Sequence, residues 1–69
     1  MTARDQFKAA IVEQFGKTEL EAQLVLDCYE AADVVRFDGV SGGYTLTHGI
    51  FWEADIIETA IQQQKERAN

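Results

Sequence analysis

The chain has 69 residues, 46% of them hydrophobic, and a formal net charge of −6 from twelve acidic and six basic side chains. This length allows one small domain with a modest core, and the hydrophobic share is too high for a disordered chain. The negative charge argues against direct binding to nucleic acid or to an anionic membrane, because such binding depends on lysine and arginine.

An amphipathic helix is predicted over residues 4–15. Its apolar side chains recur at helical spacing: Phe7, Ile11 and Phe15. Thr2 is expected to cap the N-terminus, with Asp5 as the acidic partner of a capping box. Gly16 is expected to end the helix in a left-handed conformation.

A second helix is predicted over residues 19–33, starting after the capping residue Thr18. Glu19 and Glu21 fall in its first turn, where the helix dipole favours anions. The apolar residues expected on one side are Leu20, Leu24, Cys28 and Ala31, with Val25, Tyr29 and Ala32 beside them. We expect this side to face the core.

The second half of the chain is predicted to form a hairpin followed by a helix. Alternating residues indicate strands over 34–38 and 44–48, joined by the glycine-rich loop 39–43. A third helix is expected over residues 51–64, with residues 62–67 fraying. The prediction is a single α+β domain, residues 1–69, of order α-α-β-β-α, with its helices on one face of the hairpin.

Catalytic and ligand sites are not favoured by this sequence. Ser41-Gly42-Gly43 lies between two strands, whereas a phosphate-binding loop opens onto a helix N-terminus. His48 and Cys28 could form a dyad only if an inert, buried thiol were exposed, and one His with one Cys cannot complete a structural zinc site. We predict no enzyme, no cofactor and no metal site. His48 is expected to cap the third helix or to pack under Trp52, which is a core residue or an interface anchor.

Acidic side chains form a stripe on each of the last two helices. The second helix carries Glu19, Gln23, Asp27, Glu30 and Asp33, and the third carries Asp55, Glu58, Gln62 and Glu66. Neighbours three or four residues apart stand about 5–6 Å from each other, a separation of the same order as that between successive phosphates. The stripes could therefore imitate a phosphate track, or could simply be solvated faces that keep the protein soluble. Leu26 interrupts the first stripe and is a candidate apolar anchor for a partner.

Two long segments carry a resemblance to a known class of proteins. They are residues 7–35, FKAAIVEQFGKTELEAQLVLDCYEAADVV, and residues 42–61, GGYTLTHGIFWEADIIETAI. Together they resemble the small acidic phage-encoded anti-CRISPR proteins, and in particular inhibitors of the type I-C system. The resemblance implies a non-enzymatic inhibitor in the bacterial host cytoplasm that binds a basic groove of the Cascade complex, or its nuclease-helicase, and blocks target DNA by DNA mimicry. The contact residues expected are Glu19, Asp27, Glu30, Asp33, Asp55, Glu58 and Leu26.

A different class of function stays open beside this one. The chain could be a small homodimeric adaptor or an antitoxin-like interaction module, with Leu26 or Trp52 at the interface. A winged-helix regulator is disfavoured because its recognition helix would be basic. The lone cysteine, and an N-terminal segment without the apolar stretch of a signal peptide, favour the cytoplasm.

Overall fold

The computed structural model describes residues 2–39 and 42–68. In these ranges three α-helices and a two-stranded antiparallel hairpin follow one another in the predicted order, so the chain is a single α+β domain. The helices are α1 (Ala3–Phe15), α2 (Glu19–Ala31) and α3 (Ala54–Ala68); the strands are β1 (Val35–Phe37) and β2 (Tyr44–Leu46); a 3₁₀ turn (Gly49–Trp52) precedes α3.

The first two helices begin at the predicted threonine caps. Thr2 Oγ1 accepts a hydrogen bond from the Asp5 N–H at 3.2 Å, and the Asp5 carboxylate accepts one from the Thr2 N–H at 3.3 Å. Thr18 and Glu21 repeat this capping box at the start of α2, with both bonds at 3.1 Å. The bonds satisfy N–H groups that lack a partner inside the helix. The bond from the Thr18 N–H also lowers the pKa of the Glu21 carboxyl, because the charged form is the better acceptor.

Both helices end in a left-handed residue. Gly16 closes α1 with a φ of 64°, as predicted. Helix α2 ends at Ala31, two residues before its predicted end, and Asp33 then takes a φ of 58°. The Asp33 N–H donates to the Glu30 carbonyl and the Val34 N–H to the Tyr29 carbonyl, which is the Schellman arrangement. Asp33 thus occupies the position that glycine usually fills.

The hairpin is shorter than predicted but covered on one face as expected. Its register pairs Val35 with Leu46, Arg36 with Thr45, and Phe37 with Tyr44. Val35 is buried and its in-phase neighbours on both strands are partly buried, whereas Arg36 and Thr45 are exposed. The predicted second strand is cut short because the chain turns after Leu46 into the 3₁₀ segment.

Phe7 lies at the centre of the core. Its ring meets those of Tyr29, Phe37, Tyr44 and Trp52 edge-on, at centroid distances of 5.2 to 6.2 Å. Edge-to-face pairs in this distance range are favourable beyond the area that they bury. The buried apolar residues are Phe7, Ile11, Ala22, Val25, Leu26, Tyr29, Val35, Ile57, Ala60 and Ile61. Phe7 thereby joins α1 to α2, to both strands and to the 3₁₀ turn.

The buried face of α2 matches the predicted one only in part, because Val25 and Tyr29 are buried as expected but Leu20 and Ala31 are not. The buried residues are Ala22, Val25, Leu26 and Tyr29, whereas Leu20 is 72% exposed and Ala31 is also exposed. Helix α2 packs against both α1 and α3, and the face turned toward both helices is the one that becomes buried. Helical spacing shows that apolar stripes exist but does not show which of two neighbouring stripes its partners will cover.

Helix α3 starts later and extends further than the predicted range 51–64. The Phe51 N–H donates to the His48 carbonyl at 3.2 Å, which closes the 3₁₀ turn, and the extended residue Glu53 then leads into α3. The segment 62–67, which was expected to fray, is part of α3. Lys65 forms an ion pair with Glu21 of α2 at 3.8 Å, so this end of α3 is held against a neighbouring helix.

Candidate protein-binding surface

The seven predicted contact residues fall into three structural groups. Glu19, Asp27, Asp33 and Asp55 are exposed and enter no ion pair with any described residue. Glu30 and Glu58 are each paired with a base. Leu26 belongs to the core. The two acidic stripes are therefore interrupted, and only part of each is open to a partner.

The interpretation of Leu26 as a surface anchor is wrong. Its side chain is 2% exposed and packs within the core cluster. The residue lies at the edge of the acidic stripe in sequence, but on the side of α2 that the other helices cover. Burial of a leucine is favourable by about 1.5–3 kcal/mol, which explains an apolar residue here without any partner.

Glu30 joins α2 to α1. Arg4 Nη2 lies 2.7 Å from Glu30 Oε2, and Arg4 Nε lies 3.3 Å from Oε1, so the guanidinium binds both carboxylate oxygens. These hydrogen bonds and the opposite charge raise the pKa of Arg4. The guanidinium also lies over the Phe37 ring, 5.1 Å from its centroid. Glu30 thus has a partner within the chain and is removed from the set of free acids.

Glu58 is likewise occupied, by Lys17 from the segment between α1 and α2. This contact is a hydrogen-bonded ion pair and it raises the pKa of Lys17. Four of the six basic residues of the chain are held in ion pairs: Arg4, Lys8, Lys17 and Lys65. The ion-paired acids of α2 and α3, which are Glu21, Glu30 and Glu58, take their basic partners from other parts of the fold and not from their own helices.

Asp27 is held in place by a neutral neighbour. Gln23 Nε2 donates to Asp27 Oδ1 at 2.9 Å, and Lys8 Nζ donates to Gln23 Oε1 at 3.1 Å. The amide therefore sits between the lysine and the carboxylate, and Asp27 is oriented without being neutralised by a direct ion pair. An exposed carboxylate oriented in this way can accept further hydrogen bonds from a cationic partner.

A shallow groove between α1 and the start of α2 adds a residue that the sequence interpretation missed. Its lining residues are Asp5, Lys8, Ala9, Val12, Glu13 and Glu19. Glu13 is exposed and enters no ion pair with a described residue. Its spacing of eight residues from Asp5 places both acids on the same side of α1, a signal that was present in the sequence. We use the name acidic rim for three exposed acids: Glu13 and Glu19, which line the groove, and Asp27, which is joined to the groove residue Lys8 through Gln23.

Asp33 and Asp55 have backbone roles. Asp33 adopts the left-handed conformation that ends α2, and aspartate tolerates this conformation better than most residues. Asp55 lies in the first turn of α3, where a carboxylate interacts favourably with the helix dipole. Neither residue needs a partner to explain it, so α3 does not continue the acidic rim.

The other residues considered as possible sites from the sequence, His48 and Trp52, make contacts within the fold. His48 was expected to cap the third helix or to pack under Trp52. It lies before the 3₁₀ turn and its side chain makes no capping hydrogen bond, so the first role is wrong. Its ring lies near that of Phe51, the residue before Trp52, with 6.4 Å between the centroids. Trp52 packs against Phe7 and Phe15, and its indole N–H donates to Gln14 Oε1 at 2.7 Å. Ser41 of the loop considered for anion binding lies outside the described residues.

Comparisons with protein-family models, with curated proteins and with solved structures give no match for this chain. No helix in residues 2–39 and 42–68 is long and apolar enough to cross a bilayer. Those same ranges contain no group of three His, Cys, Asp or Glu side chains that could hold a metal ion. The chemistry of the acidic rim is that of unpaired carboxylates, which accept hydrogen bonds and attract cationic groups.

Proposed function

We propose that the protein is a non-enzymatic inhibitor that binds a basic, nucleic-acid-binding surface of a CRISPR effector complex and keeps target DNA from entering. One observation carries the proposal: the acidic rim stays exposed and unpaired within the described residues, although four of the six bases of the chain are used in ion pairs. The class of partner follows from the resemblance of residues 7–35 and 42–61 to anti-CRISPR proteins. That class places the site of action in the bacterial host cytoplasm.

The mechanism is steric and electrostatic. A groove lined by lysine and arginine attracts carboxylates as it attracts phosphates, and a folded array of carboxylates binds without the ordering cost of a flexible strand. Association is expected to be fast at low salt and to weaken as salt screens the charges. Occupation of the groove then excludes DNA by competition.

The fold reduces the number of acidic residues that are expected to contact the effector complex. Glu30 and Glu58 would have to give up their ion pairs with Arg4 and Lys17 in order to bind a basic residue of the partner. The net gain in binding free energy would be small. Glu19 and Asp27 lie eight residues apart on α2, about 12 Å along the helix axis. We therefore place the contact on the acidic rim, with Glu13 in place of the two paired acids.

A pull-down with a purified type I-C effector complex tests the proposal, together with a gel shift of its target DNA. We expect capture at low salt, its loss at high salt, and failure of the DNA shift when the protein is added first. The double variant Glu13→Lys/Asp27→Lys should reduce capture by at least about tenfold, because attraction becomes repulsion at two positions.

The matched control is Glu53→Lys/Glu66→Lys, which changes the formal charge by the same amount at exposed acids outside the acidic rim. Near-normal capture by this control would assign binding to the rim and not to overall charge. Equal loss in both double variants would overturn the assignment to the rim. Absence of capture, or capture that leaves DNA binding intact, would overturn the inhibitor mechanism.

The homodimer alternative loses the contacts first assigned to it. Leu26 is buried in the core, and Trp52 is partly buried against α1. The large apolar side chains that are exposed in the described residues are Leu20 and Ile50. An interaction module that binds through an exposed large apolar side chain would use one of these two residues.

A further inference from the structure

The outer side of α2 presents one large apolar side chain, Leu20, that is left mostly uncovered by the described chain, next to Leu24, which packs partly against the core. Leu20 is 72% exposed, although it was expected in the core. Leu24, one turn further along the helix, is partly buried, and Ala31 on the same side is exposed. Two exposed acids lie near Leu20: Glu19 directly precedes it, and Asp27 follows it by seven residues. We call Leu20, Leu24, Asp27 and Ala31 the outer face of α2.

We infer that the outer face of α2 binds a basic amphipathic helix of a partner protein. The apolar side of that helix would cover Leu20 and Leu24, and its lysine or arginine residues would reach Glu19 and Asp27. The inference goes beyond the proposed function, because it requires a helix of this chemistry and not a nucleic-acid-binding groove. A pair of helices packed side by side contacts through residues spaced three, four and seven apart, which is the spacing found here.

Charge complementarity selects this occupant over the others. A second copy of the chain would bring its own excess of acids, at a net charge of −6, against Glu19 and Asp27. Nucleic acid and anionic lipid are repelled for the same reason. A neutral apolar segment would cover Leu20 but leave the two carboxylates desolvated without partners, which is unfavourable. A helix that carries both leucine-like and cationic side chains satisfies both parts of the face.

The length of α2 suits such a partner. Its 13 residues give a helix about 20 Å long, and the residues of the outer face extend from the first turn to the last. Gln23 holds the Asp27 carboxylate by a hydrogen bond at 2.9 Å. One acid of the face is therefore already oriented before a partner arrives, which lowers the ordering cost of binding.

Three synthetic peptides of about 14 residues test this inference with the full chain. The first segregates leucine and lysine on opposite sides of a helix, the second scrambles the same composition, and the third replaces lysine by glutamate. Binding is measured by fluorescence anisotropy of the labelled peptide at about 0.05 M and about 0.5 M salt. We expect the first peptide to bind, more weakly at high salt, and the other two to bind at least about tenfold more weakly.

Variants of the protein locate the contact. Leu20→Ser should weaken binding of the first peptide by about tenfold or more. Asp27→Asn should reduce the salt dependence of that binding. The matched controls are Ile50→Ser, at the other exposed large apolar residue, and Glu66→Gln on α3, and both should bind as the parent does. Circular dichroism confirms that each variant is folded.

Equal binding of the scrambled peptide would overturn the inference and indicate unspecific attraction between charges. Equal loss in Leu20→Ser and Ile50→Ser, or no binding of any peptide, would also overturn it. Self-association abolished by Leu20→Ser would identify a second copy as the occupant and overturn the basic helix. The peptide measurement uses no CRISPR component, so its outcome is separable from that of the effector pull-down.

Discussion

At the residue scale, several side chains that were expected to contact a partner protein instead stabilise the fold. They end a helix, form an ion pair within the chain or pack in the core. Asp33 is acidic and exposed, yet its main distinction is a φ of 58° in the turn that ends α2. Glu30 is acidic and partly buried, and it binds Arg4 through both oxygens. Leu26, one turn before Glu30 in α2, is a core residue. A residue type therefore indicates what a side chain can do, while its position in the turn or helix decides what it does.

Substitution of Asp33 by glycine should stabilise the protein. A left-handed conformation is unfavourable for a residue with a Cβ and open to glycine, and the native fold holds Asp33 in this conformation. We expect Asp33→Gly to raise the free energy of unfolding by about 0.5–1 kcal/mol, measured by urea denaturation with Trp52 fluorescence. Asp33→Asn is the matched control, since it removes the charge and keeps a residue that tolerates this conformation. An equal gain in both variants would show that charge, and not backbone conformation, is the cause.

At the element scale, the starts of α1 and α2 and the end of α1 were predictable because their signals are local. Thr2 with Asp5, and Thr18 with Glu21, form capping boxes within four residues of sequence. The orientation of α2 was not predictable in the same way. It carries apolar residues on more than one side, and packing against α1 and α3 buried the side containing Leu26 while leaving Leu20 outside. One helix consequently provides both a core face and the outer face.

The Thr18 cap should contribute measurably to stability. Its hydroxyl accepts the Glu21 N–H at 3.1 Å at the start of the helix that contacts both others. We expect Thr18→Ala to lower the free energy of unfolding by about 1 kcal/mol, measured by thermal and urea denaturation. Thr18→Ser keeps the accepting hydroxyl and should stay within a few tenths of a kcal/mol of the parent. If serine were as destabilising as alanine, loss of the threonine methyl group and not of the cap would be the cause.

At the scale of the whole molecule, a few contacts close the fold around Phe7. One of them joins α2 to the 3₁₀ turn: the Tyr29 hydroxyl donates to the Phe51 carbonyl at 2.8 Å. Tyr29 is buried, and removal from water raises the pKa of its phenol from 10.0 to about 12. Ionisation of this group therefore opposes folding.

The stability of the protein should fall at alkaline pH in a way that depends on Tyr29. A pKa that is higher in the folded state means that the stabilising effect is complete below about pH 10 and is lost between about pH 10 and pH 12. Tyr29→Phe should be about 1 kcal/mol less stable at neutral pH, because the Phe51 carbonyl loses its donor. The difference in free energy of unfolding between the parent and Tyr29→Phe should shrink as pH rises through this window. Urea denaturation at stepped pH measures it, and a constant difference up to pH 12 would contradict the prediction.

Local sequence patterns specify the α+β class, the element order and the threonine caps of α1 and α2, because periodicity, capping residues and glycines act over a few residues. Which acids remain without an ion pair depends on the tertiary structure. Lys17 neutralises Glu58 and Arg4 neutralises Glu30, and each pair is separated by more than twenty positions along the chain. The same holds for the exposed side of α2, since Leu20 and Leu26 are equally apolar and their burial differs only because α1 and α3 cover one side of the helix. Burial and ion pairing depend on which elements meet, and no local pattern records that.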